Sequence, residues 1–362
     1  MTRKARVLIL TFSVFLSIST SKAQVDELGN FMAAGVDDAS KLFEAYLSPY
    51  INGFGASMTG GWYNTAKPHK LGGFDITFSL NGGFIGEDYR SFNVNELGLQ
   101  TLRLADGEVE ISPTIAGKDE EGPLMQYKIS DEIPAQDAFN LVQGTGVSVA
   151  PSPMIQAGVG LFKGTEVIGR FMPKIERKGA SVDMWGIGLK HSVKQWIPVL
   201  AKMPVLNLSV MGGYTVLNAN AALEVTPETI GMSYDDLVIP ETPNRFEDQS
   251  LDLQVKSFTA NLLVSADLPV VCFYGGVGFA STNSELKLLG QYPIVVMNGA
   301  EIGVDASEKD PISFKVKNQD GGVTKPRLNA GIRFKFAVIT LQFDYTYANY
   351  SVATAGLGIS FR

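Results

Sequence analysis

The chain has 362 residues, a formal net charge of −7 and 19% charged residues, below the roughly 25% of a typical soluble domain. Its acidic balance excludes nucleic acid as a partner, which selects basic surface, and its single cysteine, Cys272, excludes an intramolecular disulfide. With 45% hydrophobic residues, 38 glycines and 10% aromatics, the composition narrows the class to a secreted β-sandwich or a membrane β-barrel.

Residues 1–23 read as a secretory signal peptide. Arg3, Lys4 and Arg6 precede an apolar stretch from Val7 to Ile18, and Ser21-Lys22-Ala23 places small residues before Gln24. The apolar part is too short to span a bilayer as a helix. Residues 24–70 form the next unit, an N-terminal helical plug segment. Asp37 or Asp38 is predicted to cap a helix that carries Leu42, Phe43, Tyr46, Leu47 and Tyr50 on one face, and Pro49 predicts its end. Such a helix either plugs a lumen or lies at the periplasmic face. The glycine-rich INGFGASMTGGWYN follows.

From residue 71 to 362 the pattern is that of strands. GFDITFSLN sets Phe74, Ile76, Phe78 and Leu80 against Asp75, Thr77, Ser79 and Asn81. In PRLNAGIRFKF, Leu328, Ala330, Ile332, Phe334 and Phe336 oppose Arg327, Asn329, Gly331, Arg333 and Lys335. VITLQFDYTYAN and the closing NYSVATAGLGISFR alternate in the same way. Further strands are expected near Ser91–Leu99, Pro153–Leu161, Val167–Pro173, Val182–His191, Leu206–Leu217, Leu251–Leu268, Val270–Glu285 and Ile312–Lys317. A parity change between Val255 and Phe258 predicts a β-bulge. The expectation is an all-β, transmembrane antiparallel barrel of about twelve strands, within a range of ten to fourteen. Segments 100–140, 224–249 and 293–311 become outward loops, with part of 100–140 free to enter the lumen.

Alternation alone also fits a sandwich, but two features favour lipid. Aromatic pairs such as Tyr345 with Tyr347 and Phe334 with Phe336 sit near strand ends, as in an interfacial girdle. The other face is rich in glycine (Gly158, Gly160, Gly186, Gly188, Gly276, Gly278, Gly356, Gly358), which suits a curved wall closely approached from inside. In the last strand Leu357 and Ile359 are predicted to face lipid, and Gly358 and Ser360 the lumen.

The chemical inventory is sparse. His69 and His191 are the only histidines. Neither has metal-ligand spacing, and both read as interfacial or turn residues. There is no nucleophile elbow, P-loop or dinucleotide fingerprint. No enzyme activity, metal or cofactor is expected. The clearest polar constellation is Arg327, Arg333, Lys335, Asp344 and Arg362, predicted to share the lumen. It reads either as a strip that biases anions or carboxylate headgroups, or as a salt-bridged filling of the barrel. The acidic DDLVIPETPNRFEDQ reads as a solvated outer loop.

GWYNTAKPHKLGGFD (61–75), WGIGLKHSVKQWIP (185–198), LSVMGGYT (208–215) and AGLGISFR (355–362) resemble a family of uncharacterised outer-membrane barrels from Bacteroidota. The resemblance covers nearly the whole mature chain and implies no activity. A plug ahead of a barrel is also similar, in architecture, to the long-chain fatty-acid transporter family. The Asn-Pro-Ala of those hatches is absent near Gln24, so no ligand position carries over. The expected function is a plugged passive channel of the bacterial outer membrane for small hydrophobic or amphipathic molecules. The alternative is a closed structural or assembly barrel acting through its loops. Expected partners are outer-membrane lipid and lipopolysaccharide; no protein partner is legible.

Overall fold

The alternation becomes a closed wall. The structure, a computed structural model, describes residues 29–361 apart from 129–135, 178, 231, 234, 236, 239–244, 299–300 and 317–324. The signal peptide, the start of the plug segment and Arg362 lie outside the described residues. No helix among them is long and apolar enough to cross a membrane.

Ten antiparallel strands close on themselves: β1 (Phe74–Phe84), β2 (Val149–Gly160), β3 (Thr165–Arg177), β4 (Ala180–Ser192), β5 (Leu206–Ala222), β6 (Ser250–Asp267), β7 (Val271–Leu289), β8 (Lys325–Phe336), β9 (Ile339–Tyr347) and β10 (Val352–Phe361). Each pairs with its sequence neighbour, and β1 meets β10 from Phe74↔Phe361 to Gly83↔Val352. Closure leaves no free sheet edge along this seam. Ten wall strands among the described residues lie at the lower limit of the expected range of ten to fourteen, two short of twelve. Within Ser91–Leu99, only Ser91–Asn93 is extended, pairing outside the wall with Ile111–Pro113, before a 3₁₀ turn. Among the described residues Ile312–Val316 pairs with the end of β7 alone.

The two ends differ. At one end, β2–β3, β6–β7 and β8–β9 are joined by short turns, and β10 also ends there; we call it the turn end. At the other, the loop end, β3–β4 and β9–β10 also turn tightly, and the described parts of the long connections 85–148, 223–249 and 290–324 gather into a head. Through the first nine to eleven residues from the turn end, the outer face is apolar and the inner face polar. On β1, Ile76 and Phe78 are each 44% exposed whereas Thr77 and Ser79 are buried. Leu357 and Ile359 are likewise exposed and Ser360 buried, as the alternation predicts. Aromatics ring both limits of this band: Phe361, Phe336 and Trp196 at the turn end, Trp185, Tyr214, Phe258 and Tyr347 toward the loops.

Beyond that band β5, β6 and β7 continue, to lengths of 17, 18 and 19 residues, and their polarity inverts. Leu217, Val255, Leu286 and Leu288 point inward into a hydrophobic core, while Lys256 is exposed on the outer face. The parity change between Val255 and Phe258 is therefore no β-bulge. The pairings of β6 with β5 and β7 run unbroken through it. The strand passes from lipid, which wants apolar residues outside, into water, which wants them inside.

The N-terminal segment joins both regions. A 3₁₀ turn (Asn30–Ala34) leads into α1 (Gly35–Ser57). Leu42, Phe43, Tyr46 and Leu47 are buried in the head core, where Phe31 meets the rings of Phe43 and Tyr46 edge-on at 5.3 and 6.0 Å. Tyr50 lies at the mouth, its hydroxyl 3.4 Å from the Val149 carbonyl. Asp38 caps nothing at the helix start. Its carboxylate accepts from the amides of Gln100 (2.9 Å) and Thr101 (2.7 Å) and the Thr101 hydroxyl (2.6 Å), pinning that loop. Pro49 does not end α1. The Ser48 hydroxyl bonds the Glu44 carbonyl beside the break, and the last two turns are wedged into the barrel, with Gly53 backbone against Gly83.

Candidate functional site: a plug seated in the lumen

Below α1 the chain runs extended down the whole lumen and emerges at the turn end to begin β1. Met58, Thr59, Trp62, Tyr63, Thr65, Ala66 and His69 are all buried by the wall. Glycine is required where this segment touches it. A Cβ on Gly188 or Gly213 would stand 2.7 or 2.5 Å from the Trp62 ring, so β4 and β5 together cradle the indole. Gly160 accommodates the backbone of His69 and Lys70.

The upper seat is a pair of buried guanidinium groups. Arg170 on β3 donates to the carbonyls of Met58 (2.8 Å) and Gly60 (3.1 Å) and to Gln156 Oε1 (2.9 Å). Its guanidinium lies 3.4 Å over the Trp62 ring. Arg327 on β8 donates to the Thr59 carbonyl (2.8 Å), Thr259 Oγ1 (3.1 Å) and Thr346 Oγ1 (3.2 Å). Among the described residues neither has a carboxylate within 4.0 Å. Their charge is met by carbonyls at and just past the end of α1, where the helix dipole is negative.

The lower seat is ionic. His69 Nδ1 lies 2.9 Å from Glu166 Oε2 and 3.7 Å from Asp75 Oδ1, and Glu166 also takes Lys190 Nζ at 3.0 Å. His69 Nε2 stands 3.3 Å from Ser360 Oγ. His69 is thus a buried anchor of the plug, not the turn residue its sequence position suggests. His191 is in its expected place, its Nδ1 2.8 Å from Thr165 Oγ1 and its ring 5.3 Å from Trp196. Ser360, His69 and Glu166 stand in the order of an acyl-transfer relay. However, the Ser360 amide is spent on the Val338 carbonyl (2.7 Å), and the buried hydroxyl offers no room for a substrate. His69, Asp75 and Glu166 also present metal-ligand atoms within 4.8 Å of one another. Lys190 already holds Glu166 there, which makes this an ion-pair network closing the lumen.

The predicted polar cluster divides between two places. Asp344 sits on the upper side, accepting from Tyr274 Oη (3.0 Å) and Asn329 Nδ2 (2.9 Å), with Arg327 nearby but bonded to the plug. Arg333 lies toward the turn end, donating to Asn64 Oδ1 (2.8 Å) and pairing with Asp267 (3.2 Å), which also accepts from Thr65 (2.9 Å). Lys335 is half-buried one step further along β8. The structure thus adds Arg170, Glu166, Lys190, Asp267 and Trp62 to the site. For Arg170 a signal was available: a charge at mid-strand in VIGRFMP, on the face opposite Val167 and Phe171.

Ten closed strands with an apolar outer face and a seated internal segment define a transmembrane antiparallel β-barrel with its own plug. The chain belongs to DUF6588, a family of unknown function, which matches residues 1–361. No curated protein matches it significantly. Among solved structures it is similar to Ail, the attachment invasion locus protein of Yersinia pestis, at 9% identity over 80% of this chain and 98% of that one, TM-score 0.24. It is also similar to the transport unit of the autotransporter AIDA-I from Escherichia coli (11% identity, 87% and 99% covered, TM-score 0.31). A third likeness is to the Pseudomonas putida toluene transporter TodX (6% identity, 80% and 89% covered, TM-score 0.26). Scores of this size carry no argument about function, and the barrel rests on its own strand pairing.

Proposed function

We propose a gated channel of the bacterial outer membrane, closed at rest by residues 58–72 and passing small polar or amphipathic solutes when that segment shifts. The observation that carries it is the chemistry of the seat. The plug is held by two arginines on carbonyls and by an ion-pair network, polar contacts that water can take over once the lumen hydrates. An anchor with no need to open is better filled with apolar side chains. Of the hydrophobic or amphipathic molecules expected from sequence, the polar lumen face favours the amphipathic ones. The long loops all leave from one end, which suits an exposed head there and a periplasmic turn end opposite.

The test is ion conductance of the full chain in planar bilayers. Wild-type protein is expected to be mostly silent. Arg170→Met with Arg327→Met is expected to produce frequent openings, since each change strands plug carbonyls at about 1–3 kcal/mol apiece. A second reading, a permanently closed barrel acting through its head, is favoured by the separate hydrophobic core around Phe31, Phe43 and Tyr292. Silence of both proteins, each folded by heat-modifiable mobility, would establish that second reading.

A further inference from the structure

On the outer face of the extended wall, just above the aromatic ring, polar side chains stand in register across four strands. Asp183 on β4 pairs with Asn218 on β5, Asn218 with Gln254 on β6, and Gln254 with Glu285 on β7. The side chains continue the row: Asn218 Nδ2 donates to Asp183 Oδ2 (3.1 Å) and Gln254 Nε2 to Asn218 Oδ1 (3.0 Å). A second row above it aligns Asn220 with Asp252, which its side-chain amide contacts, and then with Lys287. Together they line a cleft of about 290 Å³. One rung below Asp183 on the same face is Trp185, 48% exposed and edge-on to Tyr214 at 6.3 Å.

We infer that this grid is a saccharide-binding site for the sugar headgroup of an outer-leaflet glycolipid. Amides and carboxylates in a flat array present alternating donors and acceptors, which match vicinal hydroxyl groups. Each amide spends one hydrogen within its row and keeps a second for a ligand. Trp185 supplies an apolar ring against which a sugar face can lie. Height decides the source of the sugar. The grid begins where the lipid-facing band ends, the level at which glycolipid headgroups leave the membrane. The inference needs the loop end to face outward and does not depend on the channel reading.

The experiment titrates full-length protein in detergent with core oligosaccharide freed from lipopolysaccharide by mild acid. A parallel titration uses maltohexaose, a free neutral glucan. Binding is read by saturation-transfer NMR and by tryptophan fluorescence, with Trp185→Phe identifying the responding ring. The core oligosaccharide is expected to bind saturably. Asn218→Ala with Gln254→Ala is expected to weaken it roughly 10- to 30-fold. The near-isosteric Asp183→Asn is expected to weaken it about fivefold at unchanged heat-modifiable mobility. Absence of saturable binding, equal affinity in the folded variants, or binding of maltohexaose alone would each overturn the inference.

Discussion

The lower and upper parts of the wall are built from the same strands by opposite rules. On β6, Phe258 is 49% exposed on the outer face, whereas Val255, three residues closer to the loops, is fully buried on the inner one. Below the switch the interior is polar and filled by a polar plug; above it the interior is a hydrophobic core built with α1 and the loops. Backbone pairing continues unchanged through the switch. The difference teaches that solvent, and not strand geometry, sets which face is apolar.

Charges placed on the two sides of the switch test this most severely. Val255→Asp puts a carboxylate in the head core and is expected to cost about 4 kcal/mol or more. Lys256→Gln, its outward neighbour, should stay within about 0.5 kcal/mol. Urea unfolding in detergent micelles measures both, and equal losses would dissolve the distinction. Leu262→Arg carries the comparison into the middle of the band, where Leu262 is exposed on the same outer face, with an expected loss of roughly 2–4 kcal/mol. Folding into lipid vesicles reads that change.

Gly188→Leu asks whether the lower lumen is packed or wet. With the Trp62 ring against Gly188, overpacking is expected to cost about 1–3 kcal/mol; a neutral outcome would show that the plug sits loosely. The smallest effect belongs to the head. Burial raises the Asp38 carboxyl, but the Thr101 hydroxyl and the amides of Gln100, Thr101 and Leu102 outweigh it and leave the group below its ordinary range. A lowered native value stabilises the fold above the unfolded pKa of about 3.9, and that contribution is lost as pH falls through the native value. The destabilisation caused by Asp38→Asn should therefore be present at pH 7 and shrink progressively as pH falls below about 3.9. Constant destabilisation across that range would contradict the assignment.

Much of the lower wall was legible in the sequence because lipid imposes strict alternation. The outward Leu357 and the inward Ser360 follow from period two alone. The head was misread for the same reason. Val255 breaks the lipid rule, and a bulge is the only explanation that rule offers. Leu42, Phe43, Tyr46 and Leu47 mark a buried helical face in any sequence, but nothing in them says that the partner is a loop core instead of a lumen. The seat was hidden because its members, Arg170, Glu166, Lys190 and His69, come from distant stretches and meet only when the wall closes. The inward glycines were the local trace of the plug, since each of Gly160, Gly188 and Gly213 lies where the N-terminal segment touches.

The most direct measurement of a barrel closed by its own chain uses the native cysteine. Cys272 Sγ lies 3.9 Å from the Asn64 carbonyl, so Asn64→Cys is placed to tether the plug to β7 without a second change in the wall. In the Arg170→Met, Arg327→Met background this protein is reconstituted in a planar bilayer and followed by single-channel current. Oxidation should silence the channel and reduction should restore its openings. Current that is the same with the tether formed and broken, with the disulfide verified by mass, would contradict the account.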